Sequence, residues 1–248
     1  MKFTFDREKM LAAFQPAASV APSRSPKPIL QCVKLIGTET STTLMATDTE
    51  VGIRVVVEGV TVETPGNLVL PVDLFGNILR ESTDAQLTVA VDGEGISVKG
   101  GSNVYNLPSQ NADEFPDVQE VAGDARIEVA AGLFGELVKR TIFATDNESS
   151  RYALGGILLE TEGKNLIAVG TDGRRLAKME GPVEISGEIQ LGESSTIVPT
   201  RSMNLIARAL GNPDSIVQII PSDNQLAFKT DTVTLTSRLV EGRFPKWK

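Results

Sequence analysis

The apolar positions near the start of each half of the chain follow the same two periods. Residues 2–5 alternate between polar and apolar side chains, which predicts a short strand, and Asp6 can then cap a helix. Residues 126–129 alternate in the same way and also precede a helical period. The predicted inward stripes are Met10, Ala13, Phe14 and Ala17 in the first helix, and Phe134, Leu137, Val138 and Thr141 in its counterpart.

A second helix in each half is predicted to follow a proline, Pro71 or Pro199, because the first turn of a helix does not need that residue's N–H. The predicted inward residues are Phe75, Ile78 and Leu79 in the first half, and Met203, Ile206 and Leu210 in the second. Short alternating segments predict strands at residues 35–37, 43–46, 51–57, 87–91, 96–99 and 104–107. Helices that share one face of antiparallel sheets define an α+β fold.

The two halves also align with each other in sequence. Residues 28–35 match residues 152–159, and Ala46-Thr47-Asp48 matches Gly170-Thr171-Asp172, both at an offset of 124. Residues 69–71 match residues 197–199 at an offset of 128, and Phe115-Pro116 matches Phe244-Pro245 at 129. Solenoid repeats run only roughly 20–50 residues, so this period predicts two duplicated domains, residues 1–122 and 123–248.

The composition excludes several kinds of chemistry. The 248 residues contain no histidine and one cysteine, which excludes imidazole-dependent triads, histidine-ligated metal sites and intramolecular disulfides. Cys32 is predicted to be a core residue, because it lies in an apolar segment without a neighbouring base. No segment is apolar for long enough to span a bilayer, and the N-terminus lacks a secretory signal. We therefore expect a soluble cytoplasmic protein with no cofactor, metal or membrane partner.

The net charge of −8 argues against nucleic acid as a partner, until the charges are divided between the elements. Residues 1–122 carry 9 basic and 16 acidic side chains, and residues 123–248 carry 15 and 16. Basic residues fall on or beside all four predicted helices: Arg7, Lys9, Arg80, Lys139, Arg140, Arg201 and Arg208. They indicate a positive surface. The alternative is a solvated face of mixed charge, because Glu8, Asp73, Glu81 and Glu136 share these helices.

Asp48 and Asp172 are a candidate carboxylate pair, since one follows a predicted strand in each half. A hydrolase or lyase could use two such groups for acid and base catalysis. The alternative, which we favour, is that each aspartate shapes a turn by bonding its own backbone, and no catalytic residue is then expected. Arg174 and Arg175, next to the second aspartate, would by themselves be interpreted as a solvated pair.

Longer motifs give the chain a family resemblance. They are Met1-Lys2-Phe3-Thr4, Lys27-Pro28-Ile29-Leu30, Ala46-Thr47-Asp48-Thr49-Glu50, Arg151-Tyr152-Ala153-Leu154-Gly155-Gly156, Thr171-Asp172-Gly173-Arg174-Arg175-Leu176-Ala177, Ile197-Val198-Pro199 and Leu239-Val240-Glu241-Gly242-Arg243-Phe244-Pro245. In this order they resemble the bacterial DNA polymerase III beta subunit, the replicative DNA sliding clamp. The resemblance implies a non-enzymatic processivity factor for the polymerase. Its homodimer ring would encircle double-stranded DNA, with helices lining the hole and sheets forming the outer wall.

The family has three domains per subunit, and the Phe244-Pro245 motif marks the junction of the second and third. The resemblance therefore implies that these 248 residues hold two of the three domains and do not close the usual ring by themselves. We favour a shortened form of a three-domain protein over a natural two-domain clamp that closes as a trimer, as eukaryotic and archaeal clamps do.

The resemblance also implies the site residues. Duplex DNA would contact the helix-borne Arg80, Lys139, Arg140, Arg201 and Arg208, together with Arg24, Ser149 and Tyr152. A groove for short peptides of the replicative polymerase, the clamp loader and repair proteins would use Leu154, Thr171, Gly173, Arg174, Arg175, Leu176 and Pro245. The subunit interface would use Phe75, Asn103 and Tyr105. A peptide-binding adaptor that does not bind DNA stays open as an alternative, beside the hydrolase or lyase.

Overall fold

The computed structural model describes residues 1–92, 95–118, 120–121, 123–146, 153–189, 191–192, 195–210, 212–222 and 224–248. The chain divides into two compact units, residues 1–119 and residues 120–248. The boundary drawn from the sequence between residues 122 and 123 stays a prediction, because residue 122 lies outside the described residues. No helix in the described part of the chain combines the length and the apolar character that crossing a membrane requires.

The first unit has two helices and nine strands among its described residues. In chain order they are β1 (Lys2–Asp6), α1 (Arg7–Val20), β2 (Cys32–Gly37), β3 (Thr42–Thr47), β4 (Val51–Val56), β5 (Val60–Thr64), β6 (Gly66–Pro71), α2 (Val72–Glu81), β7 (Gln86–Asp92), β8 (Gly95–Gly100) and β9 (Asn103–Pro108). Short 3₁₀ turns at Pro28–Gln31 and Ala112–Glu114 precede β2 and follow β9.

The strands of the first unit form two antiparallel arrays. Strands β5, β1, β7, β8 and β9 pair in that order, and so do β4, β3, β2 and β6. Helix α1 begins where the side chain of Asp6 accepts a hydrogen bond from the N–H of Lys9 at 2.9 Å, as predicted for a cap. Phe75 packs edge-on against Phe5 and Phe14, with ring centroids 6.2 and 5.2 Å apart. These rings join both helices to the larger array.

The second unit also has two helices and nine strands among its described residues. They are β10 (Arg126–Ala130), α3 (Ala131–Lys139), β11 (Gly156–Glu162), β12 (Asn165–Thr171), β13 (Leu176–Pro182), β14 (Glu184–Ser186), β15 (Ile197–Pro199), α4 (Thr200–Ala209), β16 (Ile216–Ser222), β17 (Gln225–Lys229) and β18 (Val233–Arg238). A 3₁₀ turn at Ile142–Ala144 follows α3.

The second unit repeats the topology of the first. Strands β14, β10, β16, β17 and β18 pair in that order, and so do β13, β12, β11 and β15. Each strand of the second unit thus has the place of its counterpart in the first. The α+β class and the internal duplication predicted from the sequence are confirmed.

In each unit a late segment of the chain covers the smaller array. Phe244 is 3% exposed and packs in a buried cluster with residues of β11 and β12, namely Leu158, Ile167 and Val169. This face is opposite to the one that α3 approaches, because successive side chains of a strand alternate between faces. Trp247 packs against the same cluster. In the first unit, Phe115 packs in the same way with Cys32 and Val69.

Candidate functional site

A tight turn joins β12 to β13 and carries three predicted groove residues, Gly173, Arg174 and Arg175. The hydroxyl of Thr171 donates to the carbonyl of Arg175 at 2.7 Å and accepts from the N–H of Gly173 at 3.1 Å. The Asp172 carboxylate accepts from the N–H groups of Arg175 and Arg174 at 2.9 Å each, and these bonds lower the pKa of that carboxyl. Gly173 has a φ of +83°, a left-handed conformation that favours glycine.

The turn between β3 and β4 in the first unit has the same hydrogen bonds. The hydroxyl of Thr47 donates to the carbonyl of Val51 at 2.8 Å and accepts from the N–H of Thr49 at 3.0 Å. The Asp48 carboxylate accepts from the N–H groups of Glu50 and Val51, at 3.0 and 2.7 Å. Thr49 has the same φ, +83°, as the glycine of the second turn. The interpretation of both aspartates as turn residues is confirmed, and the hydrolase or lyase hypothesis loses the pair on which it rested.

The two turns differ in the side chains that they present. The first turn continues with Glu50, Val51 and Gly52, where the second has Arg174, Arg175 and Leu176. Val51 is buried, whereas the side chain of Arg175 is 60% exposed and Leu176 is 47% exposed. Because the same backbone turn forms with either set, folding does not require two arginines and a leucine in the second turn. Their exposed surface is available to a ligand.

Arg175 joins this turn to a residue that sequence reasoning missed. Its Nε donates to Asp172 Oδ2 at 2.9 Å, and its Nη2 donates to the carbonyl of Phe143 at 2.8 Å. Its guanidinium carbon also lies 5.7 Å from the centroid of the Phe143 ring. Phe143 lies in the 3₁₀ turn after α3 and is 58% exposed. The available signal was that Phe143 lies outside the apolar stripe of α3, so a large apolar side chain had no predicted core position.

The other predicted groove residues lie at the same end of the smaller array. Thr171, which ends β12, is 5% exposed and pairs with Leu176 at the start of β13. Leu154, just before β11, is also 5% exposed, and its carbonyl accepts from the N–H of Asp146 at 3.0 Å. Pro245 is half-buried. Within the second unit, Leu176 therefore offers far more surface to a ligand than Leu154 does.

Helix α4 presents a positive stripe. Arg201, Asn204 and Arg208 are exposed, and their spacing of three and four residues places them on one side of the helix. The helix, Thr200–Ala209, contains no acidic residue. The two arginines are therefore not offset by acidic neighbours on their own helix.

The basic residues at the end of α3 share one acidic partner. Lys139 and Arg140 lie 3.6 and 2.8 Å from the two carboxylate oxygens of Glu136. The hydrogen bond from Arg140 is the main reason that the pKa of the Glu136 carboxyl is lowered. This group of three side chains has one net positive charge.

The basic residues of the first unit are less uniform. On α2, exposed Arg80 donates to the side chain of Asn77 at 2.6 Å. Arg7 was expected on the positive surface, but only 17% of its side chain is exposed and it donates to the carbonyl of Leu79 at 3.0 Å. Arg7 joins the start of α1 to the end of α2, so the expectation is wrong for Arg7. Arg24 is exposed in the loop after α1.

Two further residues predicted to contact DNA, Ser149 and Tyr152, lie outside the described residues. Of the eight residues predicted to contact DNA, the six described ones, Arg24, Arg80, Lys139, Arg140, Arg201 and Arg208, are all exposed.

The predicted interface residues separate into two groups. Asn103 and Tyr105 lie on β9, which among the described strands of the first unit pairs with β8. Asn103 is exposed and Tyr105 is half-buried. Phe75 has no exposed surface and packs against Phe14 in the core. The interface prediction is wrong for Phe75, because a side chain enclosed by its own unit does not touch a second subunit.

Cys32 lies in the core, as predicted. It is 2% exposed, and burial raises the pKa of its thiol to about 11. The side chain of Gln110 donates a hydrogen bond to the sulfur at 3.5 Å. In the part of the chain that the structure describes, no three His, Cys, Asp or Glu side chains are grouped so that they could hold a metal ion.

Duplicated α+β units, each with two helices packed on two antiparallel arrays, are the architecture of DNA clamps. Residues 1–119 match the family described as DNA polymerase III beta subunit, N-terminal domain, and residues 128–246 match its central domain. The beta sliding clamp of Pseudomonas putida is 32% identical over the whole of this chain, which covers 67% of that protein. The chain belongs to the DNA polymerase III beta subunit family, and the resemblance seen in its motifs is confirmed.

Solved clamp structures have the same fold as this chain. The sliding clamp from Bacillus subtilis superposes with a TM-score of 0.93 at 25% identity, covering 99% of this chain and 66% of that one. The sliding clamp from Pseudomonas aeruginosa bound to griselimycin has a TM-score of 0.90 at 31% identity, covering 100% of this chain and 66% of that one. The chain thus spans about two thirds of the length of these relatives. The similarities support the function of a DNA sliding clamp.

Proposed function

We propose that this chain acts as part of a DNA sliding clamp, which holds duplex DNA without reading its sequence and has no catalytic centre of its own. The observation that carries the proposal is the exposed positive stripe of α4, in a chain whose relatives are named sliding clamps. Exposed arginines can pair with DNA phosphates. Because phosphates are the same at every base pair, such contacts do not depend on the sequence of the duplex.

The positive stripe explains how a chain with a net charge of −8 can bind DNA. Arg201 and Arg208 contact phosphates from α4, and Lys139 and Arg140 add the single net charge at the end of α3. Arg80 and Arg24 supply weaker contacts from the first unit. The acidic residues elsewhere repel DNA, so binding is restricted to the helices.

The second function is to bind partner proteins through the groove at Leu176. The partners are short peptide segments of the replicative polymerase, the clamp loader and repair proteins. The comparison of the two turns supports this role, because the second turn exposes Leu176 and Arg175 although the fold needs neither. In the homodimer ring of a full-length, three-domain form, Asn103 and Tyr105 on β9 meet the neighbouring subunit, since a strand edge offers unpaired backbone groups.

A salt titration of duplex binding tests the DNA function. We expect the chain to bind a linear duplex weakly and with an affinity that falls steeply as salt rises. Arg208→Ala removes one phosphate contact, so the slope of log affinity against log salt becomes shallower by about one. Fluorescence anisotropy of a labelled duplex measures both quantities. Lys164→Ala is the control, because Lys164 is an exposed cation in the hairpin between β11 and β12 and is not part of a helix.

Three results contradict the proposal in different ways. Binding that ignores salt excludes phosphate contacts as its source. An equal effect of Lys164→Ala and Arg208→Ala indicates general charge and not the α4 stripe. A chain that binds partner peptides but no duplex at low salt is the peptide-binding adaptor considered from the sequence.

A further inference from the structure

The side chain of Arg80 is folded back along its own helix. Arg80 lies near the end of α2, and long helical side chains point toward the N-terminus, so its side chain covers the turn that contains Gly76 and Asn77. Its Nη2 donates to the side-chain oxygen of Asn77 at 2.6 Å. Arg80 is an exposed residue, but its guanidinium is held against the surface of the helix.

Gly76 provides the space that this guanidinium occupies. A Cβ at Gly76 would lie 3.3 Å from Nη1 and 3.6 Å from Nη2 of Arg80, and 3.4 Å from Cε1 of Phe14. The shortest of these distances is closer than an ordinary nonbonded contact, so a side chain at position 76 would displace its neighbour. Phe14 is enclosed in the core, whereas Arg80 ends in a flexible chain at the surface. Arg80 is therefore the side chain that moves.

The repeat-equivalent helix of the second unit has neither feature. At the offset of 128, Arg208 of α4 has the place of Arg80, and exposed Asn204 has the place of Gly76. The Asn204 side chain starts where the guanidinium of Arg80 lies in the first unit. Leu205 has the place of Asn77 and offers no side-chain acceptor. The arrangement that holds Arg80 is thus specific to α2.

We propose that Gly76 is a positioning residue that holds Arg80 away from the phosphates of duplex DNA. The inference rests on the proposed clamp function and extends it. The guanidinium must give up its hydrogen bond to Asn77 and its place over Gly76 before it can pair with a phosphate. Each phosphate contact that is not made weakens non-specific binding, which suits a protein that moves along the duplex.

Gly76→Ala provides the main test. The added methyl group displaces the guanidinium of Arg80, which then pairs with a phosphate. We expect the slope of log affinity against log salt to become steeper by about one, and the affinity at low salt to rise severalfold. Fluorescence anisotropy of a labelled linear duplex with the full chain measures both quantities. The expected result is a gain of binding, which damage to the fold does not produce.

Two further variants connect this gain to Arg80. In an Arg80→Ala background, Gly76→Ala changes neither the slope nor the affinity, because the released group is absent. Gly135→Ala is the matched control and leaves the slope unchanged, because it makes the same substitution within α3, where a Cβ meets no atom within 4 Å. An equal gain for Gly76→Ala with and without Arg80 overturns the inference, and so does an equal gain for Gly135→Ala.

Asn77→Ala provides a second, independent test. Asn77 is exposed, so its replacement leaves the core of the first unit unchanged. Removing the acceptor frees the guanidinium in part, and we expect the slope to steepen in the same direction by less than one. Circular dichroism establishes that each variant is folded. If Gly76→Ala does not fold, Asn77→Ala decides alone, and an unchanged slope for it then overturns the inference.

The failure of this inference differs from failure of the proposed function. If Arg208→Ala makes the slope shallower and a folded Gly76→Ala leaves it unchanged, Gly76 does not hold Arg80 away from DNA, and the clamp function stands. If the unchanged chain binds duplex DNA without any dependence on salt, the phosphate contacts of the proposed function fail, and the inference fails with them.

Discussion

Thr49 is a β-branched residue with a left-handed backbone, in the place where the equivalent turn has Gly173. Such a backbone costs a residue other than glycine of order 1–3 kcal/mol. Glycine avoids this cost, but its unfolded state has more conformational freedom, which offsets part of the gain in stability. We expect Thr49→Gly to raise the free energy of unfolding by about 1 kcal/mol. Gly173→Thr lowers it by a similar amount, because a Cβ there meets no atom within 4 Å and the cost is conformational. Urea titration of both variants measures the two changes.

Thr49→Ala separates the backbone from the side chain in this experiment. Alanine keeps the conformational cost of the left-handed backbone but removes the threonine hydroxyl and methyl group. We expect its stability to stay near that of the unchanged protein. If Thr49→Ala were stabilised as much as Thr49→Gly, the side chain and not the backbone would be the source.

Single residues also mark the limit of what the sequence predicted of the site. The turn residues were predictable, because Thr171 and Asp172 bond groups only two to four positions away. The contact between Arg175 and Phe143 joins residues 32 positions apart, across the end of α3 and the start of β13. The periodicity of a single helix or strand cannot predict a contact between residues so far apart in sequence. The low exposure of the Arg7 side chain was missed for the same reason, because the carbonyl to which it donates, that of Leu79, is 72 positions away.

At the scale of elements, the helices followed from the sequence better than the strands. The stripe Met10, Phe14 and Ala17 is buried along α1, and Met203 and Ile206 are buried along α4, as predicted. Helical periods are local, so a single segment reveals them. The alternating pattern missed β6, whose Leu68, Val69 and Leu70 are buried in succession, and also β5 and β14, which are edge strands without a buried side chain. Their pairing with β1 and β10 is decided by the tertiary fold.

The packing of α3 on its array gives a prediction at this scale. Gly170 lies in β12 where a Cβ would overlap the carbonyl oxygen of Thr141, just after α3. Gly135, within α3, has no atom within 4 Å of the place of a Cβ. We expect Gly170→Ala to destabilise the protein by about 1–3 kcal/mol, because the backbone must move away. Gly135→Ala stabilises it by about 0.5–1 kcal/mol, through higher helix propensity.

Thermal unfolding of the two variants compares the same chemical change in opposite settings. The melting temperature falls for Gly170→Ala and rises for Gly135→Ala. Equal melting temperatures would mean that α3 is not held as closely on β12 as the contact between Thr141 and Gly170 indicates.

At the scale of the whole chain, the net charge says less than its distribution. The exposed face of α2 mixes Arg80 with Asp73 and Glu81, as expected for a solvated face. Helix α4 exposes Arg201 and Arg208 without an acidic neighbour on the same helix. Helix α2 therefore matches the solvated face of mixed charge, and its repeat-equivalent α4 matches the positive surface. These are the two alternatives that the sequence left open. The proposed hold on DNA therefore rests more on the second unit than on the first.

The duplicated architecture gives each unit its own reporter. The sequence contains one cysteine and one tryptophan. Cys32 packs with Phe115 in the first unit, and Trp247 packs on the Phe244 cluster in the second. The pKa of the Cys32 thiol is about 11, against the ordinary 9.0, which makes the thiolate about a hundredfold rarer at neutral pH. Cys32 therefore reacts slowly with a thiol reagent.

Two phenylalanine variants should therefore act on separate reporters. Replacing a buried phenylalanine by alanine costs about 3–5 kcal/mol and leaves a cavity. We expect Phe115→Ala to speed modification of Cys32 and to leave the emission of Trp247 unchanged. Phe244→Ala shifts that emission to longer wavelength, because Trp247 loses its packing, and leaves Cys32 protected. Each variant is measured with both reporters, and the denatured protein gives the limit of each. If either variant moved both reporters together, the Phe115 and Phe244 clusters would not respond separately, and the expectation would be wrong.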